Sequence, residues 1–154
     1  MSKQFGYSKR FDFPTATEIE QGIGTRFSWR WERTGITGRF SPGLIRPDDS
    51  FGERLDRDGI LHFAYVKFFR ADGENTLYGI VAGKTNTRNP DVNFSMNPKD
   101  EPRSKWNARE FLRLNKGFAW ERGKVLVVVP KESSDKAARE AERWLQEQFG
   151  LWGS

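Results

Sequence analysis

The chain of 154 residues contains no cysteine, which excludes disulfide bonds, thiol catalysis and cysteine-ligated zinc. Histidine occurs once, at His62. No apolar run approaches the roughly 18 residues that indicate a membrane-spanning helix. The N-terminal residues also lack the apolar segment of a secretory signal. We therefore expect a soluble, cytoplasmic protein that has no membrane partner.

The sequence is rich in aromatic residues and carries a net positive charge. It contains 13 Phe, 6 Trp and 3 Tyr, and such rings can build a core despite a hydrophobic fraction of only 36%. The length fits one domain spanning residues 1–154. The net charge of +5 favours an anionic polymer as partner, because neutralised phosphates release counterions. Many basic proteins bind no nucleic acid, so charge alone leaves DNA binding and plain solubility about equally open.

Hydrophobic periodicity predicts a small sheet. The alternation at residues 27–31 indicates a half-buried strand, whose Phe and Trp side chains we interpret as a core face rather than a base-stacking face. Residues 60–69 and 76–83 predict a β-hairpin, joined by a turn rich in Asp and Gly. The valine-rich run 125–129 is typical of a central strand that is buried on both faces. The first 24 residues are polar and mixed and give no clear element.

Two helices are predicted late in the chain. Asn107 and Glu110 form a capping-box pattern for a helix over about 107–115. Ser133 or Ser134 is expected to cap a second helix, over about 134–149, that ends at a glycine. The order of strands and helices indicates an α+β fold with a mixed or antiparallel sheet that both helices cover. The long polar stretch 84–105 is expected to be functional or mobile.

Two simple chemical motifs are not supported. Gly79 and Gly83 before Lys84 suggest a phosphate-binding loop, but only three residues separate the glycines and no helix pattern begins at the lysine. His62 lies in the predicted strand, and no potential catalytic partner occurs at a characteristic sequence spacing from it. We therefore interpret it as a structural histidine.

A third pattern extends over residues 60–152. Tyr65 lies in the opening strand of the hairpin, Lys84 and Arg88 follow its closing strand, and Glu142 lies on the last helix. This order resembles the GIY-YIG nuclease family. Its members carry a Gly-Ile-Tyr strand, a Tyr-Ile-Gly strand often followed by Lys-Thr, then an arginine and later a helical glutamate. Residues 60–154 would be the nuclease-like core and residues 1–59 an N-terminal addition.

The letters of the family motifs are only partly present. Phe63 and Ala64 replace Gly and Ile of the first motif, and Val81 occupies the place of the second tyrosine. Tyr78 lies three residues before Val81, so strict alternation predicts that the two side chains point to opposite faces of the strand.

The resemblance implies a metal-dependent DNA endonuclease, of a restriction-like kind, that hydrolyses phosphodiester bonds. It implies that Tyr65 orients or deprotonates the attacking water with help from Lys84 or from a metal-bound water. It also implies that Arg88 holds the scissile phosphate and that Glu142 supplies an oxygen ligand to Mg²⁺.

We expect contacts with DNA from Lys67, Arg103 and Lys105, and we consider a homodimer as one assembly. Two other functions stay open at this point. One is a non-catalytic nucleic-acid-binding module, and the other is a protein-interaction domain.

Overall fold

A computed structural model describes residues 13–33, 39–40, 55–71, 75–88, 92–93 and 120–153. These ranges contain two helices and seven strands. In chain order the elements are α1 (Ala16–Ile23), β1 (Ser28–Arg33), β2 (Arg39–Phe40), β3 (His62–Ala71), β4 (Leu77–Asn86), β5 (Val92–Asn93), β6 (Trp120–Val129), α2 (Asp135–Phe149) and β7 (Trp152–Gly153).

One five-stranded sheet organises these elements, in the order β1-β6-β3-β4-β7. Its first four strands pair antiparallel, and the short β7 is parallel to β4. β2 and β5 pair separately. The predicted α+β class is therefore confirmed, as are the hairpin and the placing of the valine-rich strand in the same sheet.

The last helix agrees closely with its prediction. Ser134 is the N-cap, because its side chain accepts a hydrogen bond from the backbone N–H of Ala137. Ser133 instead donates to the carbonyl of Ile60 at 2.9 Å. Gly150 ends the helix with a left-handed φ of 65°, which glycine adopts without a steric penalty.

Helix α1 lies in the region that the sequence left without an element. Its start is a capping box, in which Thr15 and Glu18 satisfy each other's backbone N–H groups. Only Ile19 and Ile23 of this short helix are fully buried, so its apolar pattern is too brief to stand out. The helix expected over 107–115 lies outside the described residues.

Both helices cover the same face of the sheet, which we call the helical face. There Ile19, Ile23, Ala141 and Leu145 pack against strand side chains that include Val66. Gly79 makes room for α1, since a Cβ at this position would lie 2.5 Å from Cδ1 of Ile19. The opposite face carries a second buried cluster, with Phe63, Tyr65 and Val127 among its members.

A bulge in the hairpin changes the expected direction of Tyr78. Lys67 pairs with Val81 and Phe68 pairs with Gly79, so Ile80 is an extra residue in β4. As a result, Tyr78 and Val81 belong to the same buried cluster on the opposite face. The strict alternation predicted from the sequence is wrong at this point.

The aromatic residues of β1 and the residue before it lie on the helical face. Phe27, Trp29 and Trp31 are half-buried and pack against the core below the helices, which confirms their interpretation as a core face. The ring centroid of Trp31 lies 4.9 Å from that of Phe68. Within the described residues, no helix is long and apolar enough to cross a membrane.

Candidate functional site

The turn before β3 holds a carboxylate against the only histidine. Oδ1 of Asp56 accepts hydrogen bonds from the backbone N–H groups of Asp58 and Ile60. The turn is closed by Gly59, whose φ of 75° favours glycine. Oδ2 of Asp56 remains and lies 2.9 Å from Nε2 of His62.

This contact determines which nitrogen of His62 carries a proton in the neutral ring. The pKa of Asp56 is lowered, first by the hydrogen bond from the Ile60 N–H and then by that from His62, so the carboxylate is ionised at neutral pH. An ionised carboxylate only accepts, and Nε2 must therefore donate. The basic lone pair of the neutral ring is then on Nδ1.

Lys84 lies next to His62 on the helical face. In the β3–β4 ladder His62 pairs with Asn86 and Ala64 pairs with Lys84, so the histidine and the lysine are diagonal neighbours. Nζ of Lys84 donates to Oδ1 of Asp135, in the first turn of α2, at 2.6 Å.

The Asp135 carboxylate binds both Lys84 and Arg139, and the charge of His62 also affects its pKa. Nη2 of Arg139 binds its other carboxylate oxygen at 2.9 Å. The pKa of Asp135 is lowered, mainly by the hydrogen bond from Lys84, with further contributions from the charges of Arg139 and His62. The hydrogen bond from Lys84 thereby connects the first turn of α2 to β4 of the hairpin.

Glu142 lies two turns along α2 from Asp135 and is half-buried. Burial raises the pKa of Glu142, while the charges of Lys84 and Arg139 oppose that increase. A carboxyl group whose pKa is shifted by burial next to specific charges is typical of functional sites, although structural networks show the same behaviour.

Six polar side chains on this side of the sheet form what we call the polar cluster. Its members come from the turn before β3, from both strands of the hairpin and from α2: they are Asp56, His62, Lys84, Asp135, Arg139 and Glu142. The cluster combines an oriented base, two cations that share one carboxylate, and a carboxyl group with a raised pKa. Such a set can accept a proton from water and contact an anionic ester.

The structure brings together some of the site residues expected from the sequence and separates others. Lys84 and Glu142 both lie in the polar cluster. Tyr65 is buried on the opposite face of the sheet, so it does not share a site with them. Arg88 is exposed in the turn after β4, where its backbone N–H donates to Oδ1 of Asn86.

The expected DNA contacts fall into two groups. Lys67 is only 1% exposed, and its Nζ lies 6.0 Å from the centroid of the Tyr65 ring. This burial does not fit a contact with a phosphate on the protein surface. Arg103 and Lys105 lie outside the described residues.

The pairing of Asp56 with His62 was not expected from the sequence. The carboxylate is six residues before the histidine, which is not a spacing that a strand or helix would bring together. A signal was present nonetheless, because Asp56, Asp58 and Gly59 form a turn pattern that reverses the chain directly before β3.

The possible metal site rests on Glu142 alone. Among the described residues, no group of three or more His, Asp or Glu side chains is placed to hold a metal ion. Mg²⁺ often binds proteins through only one or two carboxylates, and water and phosphate oxygens fill the other positions. The half-buried carboxyl group of Glu142 fits this open mode of binding.

Comparison with known proteins finds no matching family model, no similar curated protein and no similar solved structure. The geometry of the polar cluster is therefore the basis for a functional proposal.

Proposed function

We propose that the protein is a metal-dependent DNA endonuclease that acts in the cytoplasm and hydrolyses phosphodiester bonds at the polar cluster. The observation that carries this proposal is the Asp56-oriented His62, which lies beside Lys84 on the face covered by the helix of Glu142. The order of hairpin, strand and glutamate-bearing helix, which resembles GIY-YIG nucleases, supports the same reading.

His62 is the general base in this proposal. Nδ1 takes a proton from the attacking water, and the imidazolium that forms is stabilised by the Asp56 carboxylate on Nε2. Asp56 also prevents the ring from turning, because its own position is fixed by two backbone N–H groups. This role replaces the one that the family resemblance gave to Tyr65.

Lys84 and Arg139 supply positive charge for the phosphate. Both are bound to Asp135 in the described structure, so an incoming phosphate competes with one exposed carboxylate for them. Arg139 is more than half exposed, and its guanidinium can make the two parallel hydrogen bonds that phosphate oxygens accept.

Glu142 would hold the divalent cation. When bound, Mg²⁺ would neutralise charge that develops on the phosphate during displacement. The raised pKa of Glu142 means that its proton is retained to a higher pH than usual, so in mildly acidic buffer, where the carboxyl group is still partly protonated, loading of a cation would release that proton. Proton release on titration with Mg²⁺ is thus a direct readout of this role.

The proposal is tested by nicking of supercoiled plasmid in the presence of Mg²⁺ or Mn²⁺. The unmodified protein and Glu147→Gln, an exposed carboxylate on the same helix, should nick the plasmid. His62→Ala and Glu142→Gln should not nick it. No nicking by the unmodified protein, with either metal and with varied DNA, would leave a non-catalytic nucleic-acid-binding module as the better proposal.

A further inference from the structure

α2 has a second polar surface on the side away from the polar cluster. Glu140 and Trp144 are four residues apart and share this side, whereas Asp135 and Glu142 lie on the other flank. Arg26 and Phe27, just before β1, and Lys131 and Glu132, just after β6, face it. These residues line an open cleft of about 520 Å³, within the roughly 300–1,000 Å³ typical of small-molecule sites. We call it the Trp144 cleft.

The indole of Trp144 is the aromatic floor of this cleft. The rings of Phe27 and Phe149 meet it edge-on, with centroids at 5.5 Å and 5.6 Å, and these contacts fix the plane of the indole. The guanidinium of Arg26 lies over the ring at 4.9 Å. Because Arg26 is exposed, this planar cation is a cover that another flat group can replace.

The charges around the cleft indicate the chemistry of a complementary ligand. Arg26 and Lys131 are cationic, and Glu132 and Glu140 offer carboxylate oxygens at the same opening. The complementary ligand has a flat aromatic face, hydrogen-bond donors on its edge and an attached anion. A nucleotide with an exocyclic amino group has all three, since carboxylates accept from such amino groups and Arg and Lys bind phosphate.

We propose that the Trp144 cleft binds one unpaired nucleotide of a nucleic-acid strand. The base stacks on Trp144 in the place of the Arg26 guanidinium, and Arg26 and Lys131 contact the phosphate. This inference rests on the proposed function, whose substrate class it narrows to DNA with an unpaired region. The body of α2, about 10 Å across, separates the cleft from the polar cluster, so the bound nucleotide is not the one that is cleaved.

Binding of a fluorescently labelled oligo(dC), without divalent metal so that no cleavage occurs, tests this proposal by fluorescence anisotropy. Trp144→Leu should bind roughly 5- to 150-fold more weakly, as expected for the loss of one stacked base. Trp144→Phe keeps an aromatic face and should retain most of the affinity. Arg26→Ala should also weaken binding and reduce the log–log salt slope by about one. Duplex DNA of matched length should show little dependence on Trp144.

Two results would overturn the proposal. One is a Trp144→Leu protein that is folded, by thermal unfolding, and binds oligo(dC) as tightly as the unmodified chain. The other is an equal effect of Trp144→Leu on duplex DNA. The plasmid assay keeps the two proposals apart. If the protein nicks plasmid but its binding of oligo(dC) does not depend on Trp144, only the proposal for the Trp144 cleft is contradicted. If binding depends on Trp144 but no nicking occurs, only the proposed catalysis is contradicted.

Discussion

Nε2 of His62 lies 2.9 Å from Oδ2 of Asp56, a carboxylate that two backbone N–H groups already hold in place. The pair resembles the base and orienting group of many hydrolases in its chemistry, since an ionised carboxylate fixes the tautomer of the ring. It also gives the only histidine of the chain a specific partner, whereas His62 was interpreted from the sequence as a structural residue without one.

Asp56→Asn should therefore lower the rate of DNA cleavage by about 10²- to 10⁴-fold, the usual contribution of a positioned general base. The amide can present a donor to Nε2 and would then favour the wrong tautomer. Asp58→Asn is the matched control, because Asp58 is an exposed carboxylate in the same turn. Single-turnover cleavage rates measure the effect, and equal losses in both variants would contradict it.

Tyr65→Phe should leave cleavage nearly unchanged. The Tyr65 ring is buried on the face of the sheet opposite His62 and Glu142, so its hydroxyl does not reach a substrate at the polar cluster. The family resemblance alone implies the reverse result. Cleavage rates of the purified variant, with its unfolding temperature as a check on folding, distinguish the two. Loss of cleavage by a stably folded variant would restore Tyr65 to the site.

Glu142→Gln should stabilise the protein at neutral pH. Burial raises the pKa of Glu142, so the folded state holds this proton more tightly than the unfolded chain does. The resulting cost in stability is fully present above the folded pKa and disappears as the pH falls to the unfolded value, near 4.5. The glutamine variant avoids this cost because it does not ionise.

Thermal unfolding at a series of pH values measures this difference. The variant should melt higher than the unmodified protein at neutral pH, and the two curves should converge in acid. Asp56 and Asp135, whose pKa values are lowered, should destabilise both proteins alike as the pH falls through the folded values. A constant offset at all pH values would show that the effect of the substitution is not one of ionisation.

Gly79→Ala should destabilise the fold by about 1–3 kcal/mol, the usual cost of overpacking a core. The new Cβ would lie 2.5 Å from Cδ1 of Ile19, the residue that fixes α1 on the sheet. Ile19→Val removes that methyl group, so the double variant should recover part of the loss. Gly153→Ala is the control, because its Cβ would meet only Gln146 Nε2 at 3.8 Å.

Urea unfolding gives the free energies for this set. The Gly153 variant should stay within about 0.5 kcal/mol of the unmodified protein. Strictly additive effects of Gly79→Ala and Ile19→Val would argue against the close approach of α1 to β4.

The sequence by itself determined the elements whose signals are local. Strands β3, β4 and β6 follow from periodicity and from a run of five apolar residues, and α2 follows from Ser134 and Gly150 at its ends. These patterns act within a segment, because side-chain alternation and helix capping depend on near neighbours. Helix α1 was not predicted from the sequence, because only two apolar residues, Ile19 and Ile23, mark its buried side.

Only the tertiary structure decided which side chains share a site. The extra residue Ile80 shifts the register of the hairpin, so counting along β4 gives the wrong face for Tyr78. Both helices cover one face of the sheet. Lys84 and Glu142 therefore lie on the same side, whereas Tyr65 is buried on the opposite face. The close approach of Ile19 in α1 to Gly79 in β4 joins residues 60 positions apart in the chain, so no local pattern encodes it.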